Sequence, residues 1–182
     1  DFAGALDALA AISAESPNSE PGRQAQLDWV QTGGQNGDTQ GAIDGYRQFA
    51  AAYPDDSRAP EALSRVATLL GRLNDAEGVI QQQLALGQRY PDSEQAHDAL
   101  YVAGWSLFNS GRGDEARAAW ETLRQHSRGV AAAQAAFWAA QTLGAESPER
   151  RSMLTAARDA APDSYYAARA DELLGTPITG PI

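Results

Sequence analysis

The chain has 182 residues, and its hydrophobic content of 43% is close to that of globular proteins, so wholesale disorder is excluded. Ala accounts for 37 residues whereas Val and Ile together number ten, which favours helices over strands. With a net charge of −10, no Lys and no Cys, the chain is a poor binder of nucleic acid or anionic membranes and has neither a disulfide framework nor a thiolate metal site.

Apolar residues recur with helical spacing along most of the chain. Leu63, Val66, Ala67 and Leu70 follow the i, i+3, i+4, i+7 pattern of one helix face. We predict ten helices, near 3–13, 23–33, 38–52, 58–72, 75–89, 94–110, 113–126, 130–143, 147–160 and 164–174.

Helix starts are marked by residues with short polar side chains. Asp38, Asp75 and Asp114 are predicted to cap the helices that follow them, and Ser93 and Ser164 to do the same, because such side chains accept hydrogen bonds from free backbone N–H groups. Helix ends are predicted before prolines, since Pro disfavours helix in the residue that precedes it.

The turns repeat along the sequence. Tyr53-Pro54-Asp55-Asp56-Ser57 is echoed by Tyr90-Pro91-Asp92-Ser93 and then by Ala161-Pro162-Asp163-Ser164. With a second turn in the middle of each unit, the period is roughly 34 to 37 residues, typical of a helical repeat. This spacing predicts four full helix pairs, with an unpaired helix at each end. A single pair cannot bury its own apolar face, so the pairs must stack.

Two further features concern the ends of the chain. Residues 1–175 are predicted to form a single solenoid, and the tail 176–182, with two prolines and no periodicity, a linker. The chain opens at Asp1 without Met and runs directly into a helical pattern, as a processed or excised piece would, so the lack of a signal peptide says nothing about secretion. The longest apolar stretch, Val130 to Ala140, is too short to span a bilayer.

The unit from His97 to Gly129 resembles the tetratricopeptide repeat. It carries large, small and aromatic residues in that family's order: Leu100, Ala103, Gly104, Leu107, Gly111, Ala116, Trp120 and Leu123. The resemblance extends over nearly the whole chain. It implies an all-α fold, a right-handed superhelical array of antiparallel helix pairs (an α-solenoid).

A narrower resemblance is to the superhelical, non-catalytic region of bacterial soluble lytic transglycosylases. It is carried by residues 136–140 (Ala-Phe-Trp-Ala-Ala), 164–170 (Ser-Tyr-Tyr-Ala-Ala-Arg-Ala) and 173–175 (Leu-Leu-Gly), in that order. The resemblance implies a scaffold domain of a peptidoglycan lytic transglycosylase, outside the cytoplasm in the periplasm or cell envelope. The alternative is a free-standing envelope adaptor of the TolA-binding or outer-membrane assembly lipoprotein type, which binds a peptide or protein.

Residues that could carry catalysis or bind metal are few. Glu15-Ser16 and Glu146-Ser147 are each followed by Pro, so neither begins the Glu-Ser catalytic signature of the transglycosylases. Most carboxylates fall in turns or on polar helix faces, and neither His97 nor His126 has a metal-type residue at i+4. We therefore expect no catalytic residue, no metal and no cofactor in this chain, and no enzymatic activity of its own.

One set of residues is a candidate binding surface. Tyr101, Trp105 and Phe108 recur at i, i+4, i+7, beside Asn109. In tetratricopeptide arrays the first helix of each pair lines the concave face, so the resemblance places this stripe where a protein, a peptide or a peptidoglycan glycan strand would bind. The alternative is that the rings pack against the neighbouring pair. The corresponding residues of the other first helices are polar or small, which argues against a continuous hydrophobic groove; they are Gln24, Gln31, Ser64, Thr68, Ala135 and Ala139.

Overall fold

The computed structural model describes residues 2–175, and within this range every regular element is an α-helix. The helices are α1 (Phe2–Glu15), α2 (Glu20–Gln35), α3 (Thr39–Ala52), α4 (Ala59–Arg72), α5 (Ala76–Arg89), α6 (Glu94–Asn109), α7 (Gly113–His126), α8 (Gly129–Gln141), α9 (Pro148–Ala160) and α10 (Tyr165–Leu174). All ten predicted helices are found, and the predicted linker 176–182 lies outside the described residues.

The predicted caps are confirmed at four of five positions. Asp38 accepts a hydrogen bond from the backbone N–H of Gly41 at 2.8 Å, and Asp75 accepts one from Gly78 at 2.9 Å. The hydroxyls of Ser93 and Ser164 each accept a bond of 3.2 Å from the N–H three residues later. The local chemistry of these turns therefore sets the starts of α3, α5, α6 and α10.

The prediction for Asp114 is wrong. Because α7 already begins at Gly113, the N-cap position falls on Arg112, whose side chain makes no capping bond. Asp114 lies inside the first turn and pairs with Arg117 at 2.9 Å. It still places a negative charge at the positive end of the helix dipole, but it does not close the helix start.

The predicted start of α2, residue 23, is three residues too late. Ser19 caps the helix by accepting a hydrogen bond from Gly22 N–H at 3.1 Å, and Pro21 lies in the first turn. Proline is well placed there because the first N–H groups of a helix have no partner within it.

Contacts along the chain fall into two units, divided within α5 after Gln82. In the first unit α1 packs on α2, α2 on α3 and α3 on α4. Its core is built from buried residues of α2, α3 and α4, namely Val30, Ala42, Ile43, Tyr46, Phe49, Ala62, Val66, Leu69 and Leu70.

The second unit has the same order of packing. Each helix from α6 to α10 contacts the next, and α10 also contacts α8. Trp120 of α7 is fully buried and lies against Gly104 of α6, where a Cβ atom would come within 2.3 Å of the indole nitrogen. In each unit, helices that are neighbours in sequence pack on one another, the solenoid-like arrangement that the repeat predicts.

Candidate functional site

Two of the predicted binding residues lie together on α6. The ring centroids of Trp105 and Phe108 are 6.1 Å apart in an edge-to-face arrangement. Trp105 also contacts Trp120 at 6.0 Å and Trp138 at 4.4 Å. These four rings are called the aromatic cluster. Trp105 and Phe108 are both half-buried, so each uses part of its surface for packing and leaves part accessible.

The other two predicted residues stand apart from the aromatic cluster. Tyr101 is half-buried, and its carbonyl accepts a hydrogen bond from Trp120 Nε1 at 3.3 Å. Within residues 2–175 its ring has no aromatic partner. Asn109 is the exposed last residue of α6. Tyr101 therefore contributes a backbone contact to the packing of α7, and its ring is not part of the cluster.

Trp138 of α8 is the member of the cluster that the sequence pattern missed. Ala135 and Ala139, which a 34-residue spacing places opposite Tyr101 and Trp105, are fully buried. The ring that meets Trp105 comes from Trp138, 33 residues after it. Because one residue turns a helix by about 100°, this shift of one position changes which face is presented. The pair of adjacent aromatic residues, Phe137 and Trp138, was the feature of the sequence that could have indicated this contact.

Aromatic contacts continue beyond the cluster to α10. Trp138 contacts Phe137 at 5.3 Å, and Phe137 contacts Tyr166 at 5.8 Å. The amide of Gln134 donates a hydrogen bond of 2.6 Å to the Tyr166 hydroxyl. The first helices α6, α8 and α10 are thus joined by a continuous run of rings. Because this run includes the buried Phe137, it is internal packing, and the absence of a continuous hydrophobic groove, inferred from small residues at the corresponding positions, stays a prediction.

A second candidate site lies in the first unit, where α2 and α4 face each other above α3. It is a cavity of about 350 Å³, here called the α2–α4 groove, and a neighbouring cavity of about 150 Å³ shares part of its lining. The groove is lined by Gln31, Gly34, Gln35, Ala42, Tyr46, Glu61, Ser64, Arg65, Thr68, Leu69 and Arg72. Sequence reasoning noted the polar residues Gln31, Ser64 and Thr68 but did not assign them a site, because no pattern in one helix shows what the next helix places opposite it.

The floor of the groove is a buried tyrosine beneath an ion pair. Tyr46 is 4% exposed, and burial raises the pKa of its phenol, while the charge and hydrogen bond of Arg65 act in the opposite direction. Arg65 Nε also lies 3.0 Å from a carboxylate oxygen of Glu61. The phenol therefore stays neutral at physiological pH, and the charge of Arg65 is largely balanced within the groove.

A charged network fixes one end of the first unit. The Asp56 carboxylate accepts a 2.7 Å hydrogen bond from Arg58 and forms a 2.9 Å ion pair with Arg23 Nε, which is not aligned as a hydrogen bond. Arg58 also lies 3.0 Å from Glu20. Hydrogen bonds from Arg58 lower the pKa of Asp56 to about 2, despite burial of the carboxylate. This network ties the start of α2 to the turn before α4, the two helices that form the groove walls.

Among the other polar side chains of residues 2–175, several form pairs. Residues 2–175 contain no group of three or more His, Cys, Asp or Glu side chains that could hold a metal ion. His126 Nδ1 lies 2.9 Å from Asp92, and Glu115 forms hydrogen bonds with Arg112 that lower the pKa of its carboxyl. Among the described helices, none combines the length and apolarity needed to cross a membrane.

Comparison with known proteins supports the repeat. Residues 98–127 match the family model described as tetratricopeptide repeat, and these residues lie within the predicted unit His97–Gly129. No curated protein sequence matches the chain.

Solved structures similar to the chain include a tetratricopeptide repeat protein from Parabacteroides merdae ATCC 43184. It is 16% identical with a TM-score of 0.51, over 96% of this chain and 68% of that one. The structure of MamA is 19% identical with a TM-score of 0.48, over 96% of this chain and 90% of that one. YrrB, described as a TPR protein with an unusual peptide-binding site, is 18% identical with a TM-score of 0.47, over 93% and 84%. The fold assignment rests on the first of these, and at such identity it extends to the fold alone.

Proposed function

We propose that this chain is a protein-interaction scaffold that holds an extended segment of a partner protein in the α2–α4 groove. The observation that carries the proposal is the groove itself, about 350 Å³ in volume, with polar walls and a buried floor. Its size falls in the range of ligand sites, which are commonly 300–1,000 Å³. Stacked helical repeats of this kind use such concave surfaces for binding.

The walls of the groove are suited to a peptide main chain. Gln31 and Gln35 are one turn apart on α2, and Ser64 and Thr68 are one turn apart on α4. Amide and hydroxyl side chains can both donate and accept hydrogen bonds. An extended peptide offers alternating N–H and C=O groups along its length, so these side chains can bind it with little dependence on its sequence.

Selection from a random octapeptide library against the purified chain tests this proposal. We expect enriched peptides whose affinity, measured by fluorescence anisotropy, falls about tenfold or more in the double variant Gln31→Ala/Gln35→Ala, since each lost hydrogen bond is worth ~1 kcal/mol. The matched control is Gln88→Ala/Gln125→Ala, in which both residues are exposed outside the groove. Equal affinities for the wild type and the groove variant would refute the placement of the site.

We propose the partly accessible rings of the predicted stripe as a second binding surface. The stripe lies on α6 and consists of Tyr101, Trp105, Phe108 and Asn109. Trp105 and Phe108 both pack on Trp120, so truncating either ring to Ala would disturb the fold. Asn109→Ala and the conservative change Phe108→Leu are milder. If the surface binds, these variants weaken binding while the unfolding midpoint moves little. Unchanged affinity for selected peptides in both variants would remove the surface from the proposal.

A finer proposal concerns the whole protein and its location. We propose that the chain is the scaffold region of a peptidoglycan lytic transglycosylase outside the cytoplasm, with the envelope adaptor as the alternative. The ordered series at 136–140, 164–170 and 173–175 supports it. Phe137, Trp138, Tyr166 and Leu174 of this series belong to one packing cluster of the second unit. These residues therefore pack together in the second unit.

Two observations separate these alternatives. Sequencing the gene beyond codon 182 would show a transglycosylase catalytic domain if the scaffold proposal is right, and a stop codon or an unrelated domain would end it. Cosedimentation of the purified chain with peptidoglycan sacculi tests whether glycan strands are a partner. We also propose that the chain has no catalytic activity of its own, and release of soluble muropeptides by purified 1–182 would contradict this.

A further inference from the structure

We infer that Asn36 is a site of spontaneous deamidation, at which the next backbone nitrogen converts the side-chain amide into a carboxylate. The chemistry requires only the turn between α2 and α3, so the inference does not depend on the proposed function. It assigns to this turn a covalent modification that needs no enzyme, directly beside Gln35 of the α2–α4 groove.

The sequence around Asn36 sets it apart from the other asparagines. Asn36-Gly37 is the one Asn-Gly pair in the sequence. The other three asparagines precede residues with side chains, in the pairs Asn18-Ser19, Asn74-Asp75 and Asn109-Ser110. A side chain on the following residue crowds its backbone nitrogen and restricts rotation of the main chain, whereas glycine leaves both free. The nitrogen of Gly37 can therefore approach the amide more readily than its counterparts at the other three sites.

The reaction has two steps and consumes only water. In the first, the backbone nitrogen of Gly37 attacks the side-chain carbonyl carbon, Cγ, of Asn36. A bond forms between Gly37 N and Cγ, the bond from Cγ to Nδ2 breaks, and Nδ2 leaves as ammonia with the proton that Gly37 N has lost. The product is a five-membered succinimide ring. In the second step water adds to one of the two ring carbonyls and opens the ring, which leaves either aspartate or isoaspartate and one new negative charge.

The turn leaves both reacting residues open to water. Asn36 and Gly37 are exposed, and a Cβ atom built at Gly37 would meet no atom of the described residues within 4 Å. The N–H of Gly37 donates to the Gly34 carbonyl at 3.3 Å, whereas the N–H groups of Asn36 and Asp38 on either side make bonds of 3.1 Å. The attacking nitrogen is thus held by the longest hydrogen bond of the turn.

The folded turn slows ring closure without preventing it. Closure requires Cβ of Asn36 and the nitrogen of Gly37 to lie nearly eclipsed about the bond that joins Cα to the carbonyl carbon. With ψ of Asn36 at 7°, these two atoms are far from eclipsed. Rotation to the reactive geometry breaks the hydrogen bonds from Gly37 and Asp38 to the end of α2, so the reaction proceeds from a locally opened turn. Exposed turns open at a much lower free energy than the whole protein.

The products fit the turn less well than asparagine does. The new carboxylate lies at the C-terminal end of α2, where the helix dipole is negative, and next to the Asp38 carboxylate that caps α3. Isoaspartate also carries the main chain through Cβ, which shifts the N–H groups of Gly37 and Asp38 relative to their acceptors. We therefore expect the modified chain to be less stable in its first unit.

The experiment is incubation of the full chain at mildly alkaline pH, followed by peptide mapping with mass spectrometry. A synthetic peptide of residues 33–40 in the same buffer gives the rate without the fold. We expect Asn36 to convert several-fold faster than Asn18, Asn74 or Asn109, and more slowly than in the peptide. Isoaspartate should appear beside aspartate, because direct hydrolysis of the amide gives aspartate alone. The rate should rise with pH, since the attacking nitrogen must lose its proton.

Two variants assign the change to this turn. Asn36→Gln should abolish the early acidic species on ion exchange, because its longer side chain would have to close a six-membered ring. Asn18→Gln is the matched control, since Asn18 is an exposed asparagine in the turn before α2, and it should leave that species unchanged. Conversion of Asn36 no faster than that of the other three asparagines, aspartate as the only product, or an Asn36 still intact after many half-lives of the peptide would each overturn the inference.

Discussion

Replacement of Gly104 by Ala is expected to destabilise the second unit, although Ala is the better helix former. A Cβ atom at this position would lie 2.3 Å from Nε1 and 2.4 Å from Cε2 of Trp120, far inside van der Waals contact. Trp120 is fully buried and its Nε1 donates to the Tyr101 carbonyl, so moving the ring would break this hydrogen bond and disturb its packing. The close approach of α6 and α7 therefore requires glycine.

The magnitude follows from two opposing terms. Gly to Ala in a helix interior gains about 1 kcal/mol of helix propensity. Forcing an extra methyl group into a packed core costs typically 1–3 kcal/mol or more, and the short distances to a rigid indole place this site at the upper end. We expect a net loss of about 2 kcal/mol in the free energy of unfolding.

Urea denaturation monitored by tryptophan fluorescence measures this loss, because three of the four tryptophans lie in the second unit. Gly33→Ala is the control, since no atom lies within 4 Å of a Cβ there, and it should be neutral or slightly stabilising. In a Trp120→Leu background the cost of Gly104→Ala should fall, because the atoms that clash are gone. An equal cost in both backgrounds, or an unchanged midpoint for Gly104→Ala, would refute the clash.

The remaining predictions concern the charged network and one helix cap. The folded-state pKa of Asp56, about 2 against an ordinary 3.8, means that its pairing with Arg58 contributes ~2 kcal/mol above pH 4, which is lost as the pH falls toward 2. Asp56→Asn should remove this contribution, so the free energy of unfolding from urea titrations should depend less on pH between pH 4 and 2. An unchanged pH dependence in the variant would show that the network is not formed. Ser93→Ala should cost ~1 kcal/mol because the N–H of Ala96 loses its acceptor, whereas Ser93→Asp should retain most of the stability. Amide hydrogen exchange at the start of α6 would report the same loss, and unaltered protection there would contradict it.

Short-range features of the sequence were sufficient for the helices and most of their ends. Asp38, Asp75, Ser93 and Ser164 bind N–H groups three residues away, so both partners are visible in one stretch of sequence. The predicted cap of α7 was wrong because the helix begins at Gly113, one residue before Asp114. Helix and turn were predictable because their hydrogen bonds join residues that are close in the chain.

The candidate sites depended on contacts between helices. The sequence showed that Trp105 and Phe108 share a face, but only the packing of α8 against α7 brings Trp138 to within 4.4 Å of Trp105. The α2–α4 groove likewise could not be predicted from the sequence, because the residues of its two walls are about 30 to 40 positions apart. A helical pattern in the sequence determines which residues lie on the same face of one helix. The rotation and spacing of neighbouring helices depend on which side chains fit between them, as at Gly104 and Trp120. The sequence alone therefore determined the repeat, and tertiary packing determined which side chains meet at the two candidate surfaces.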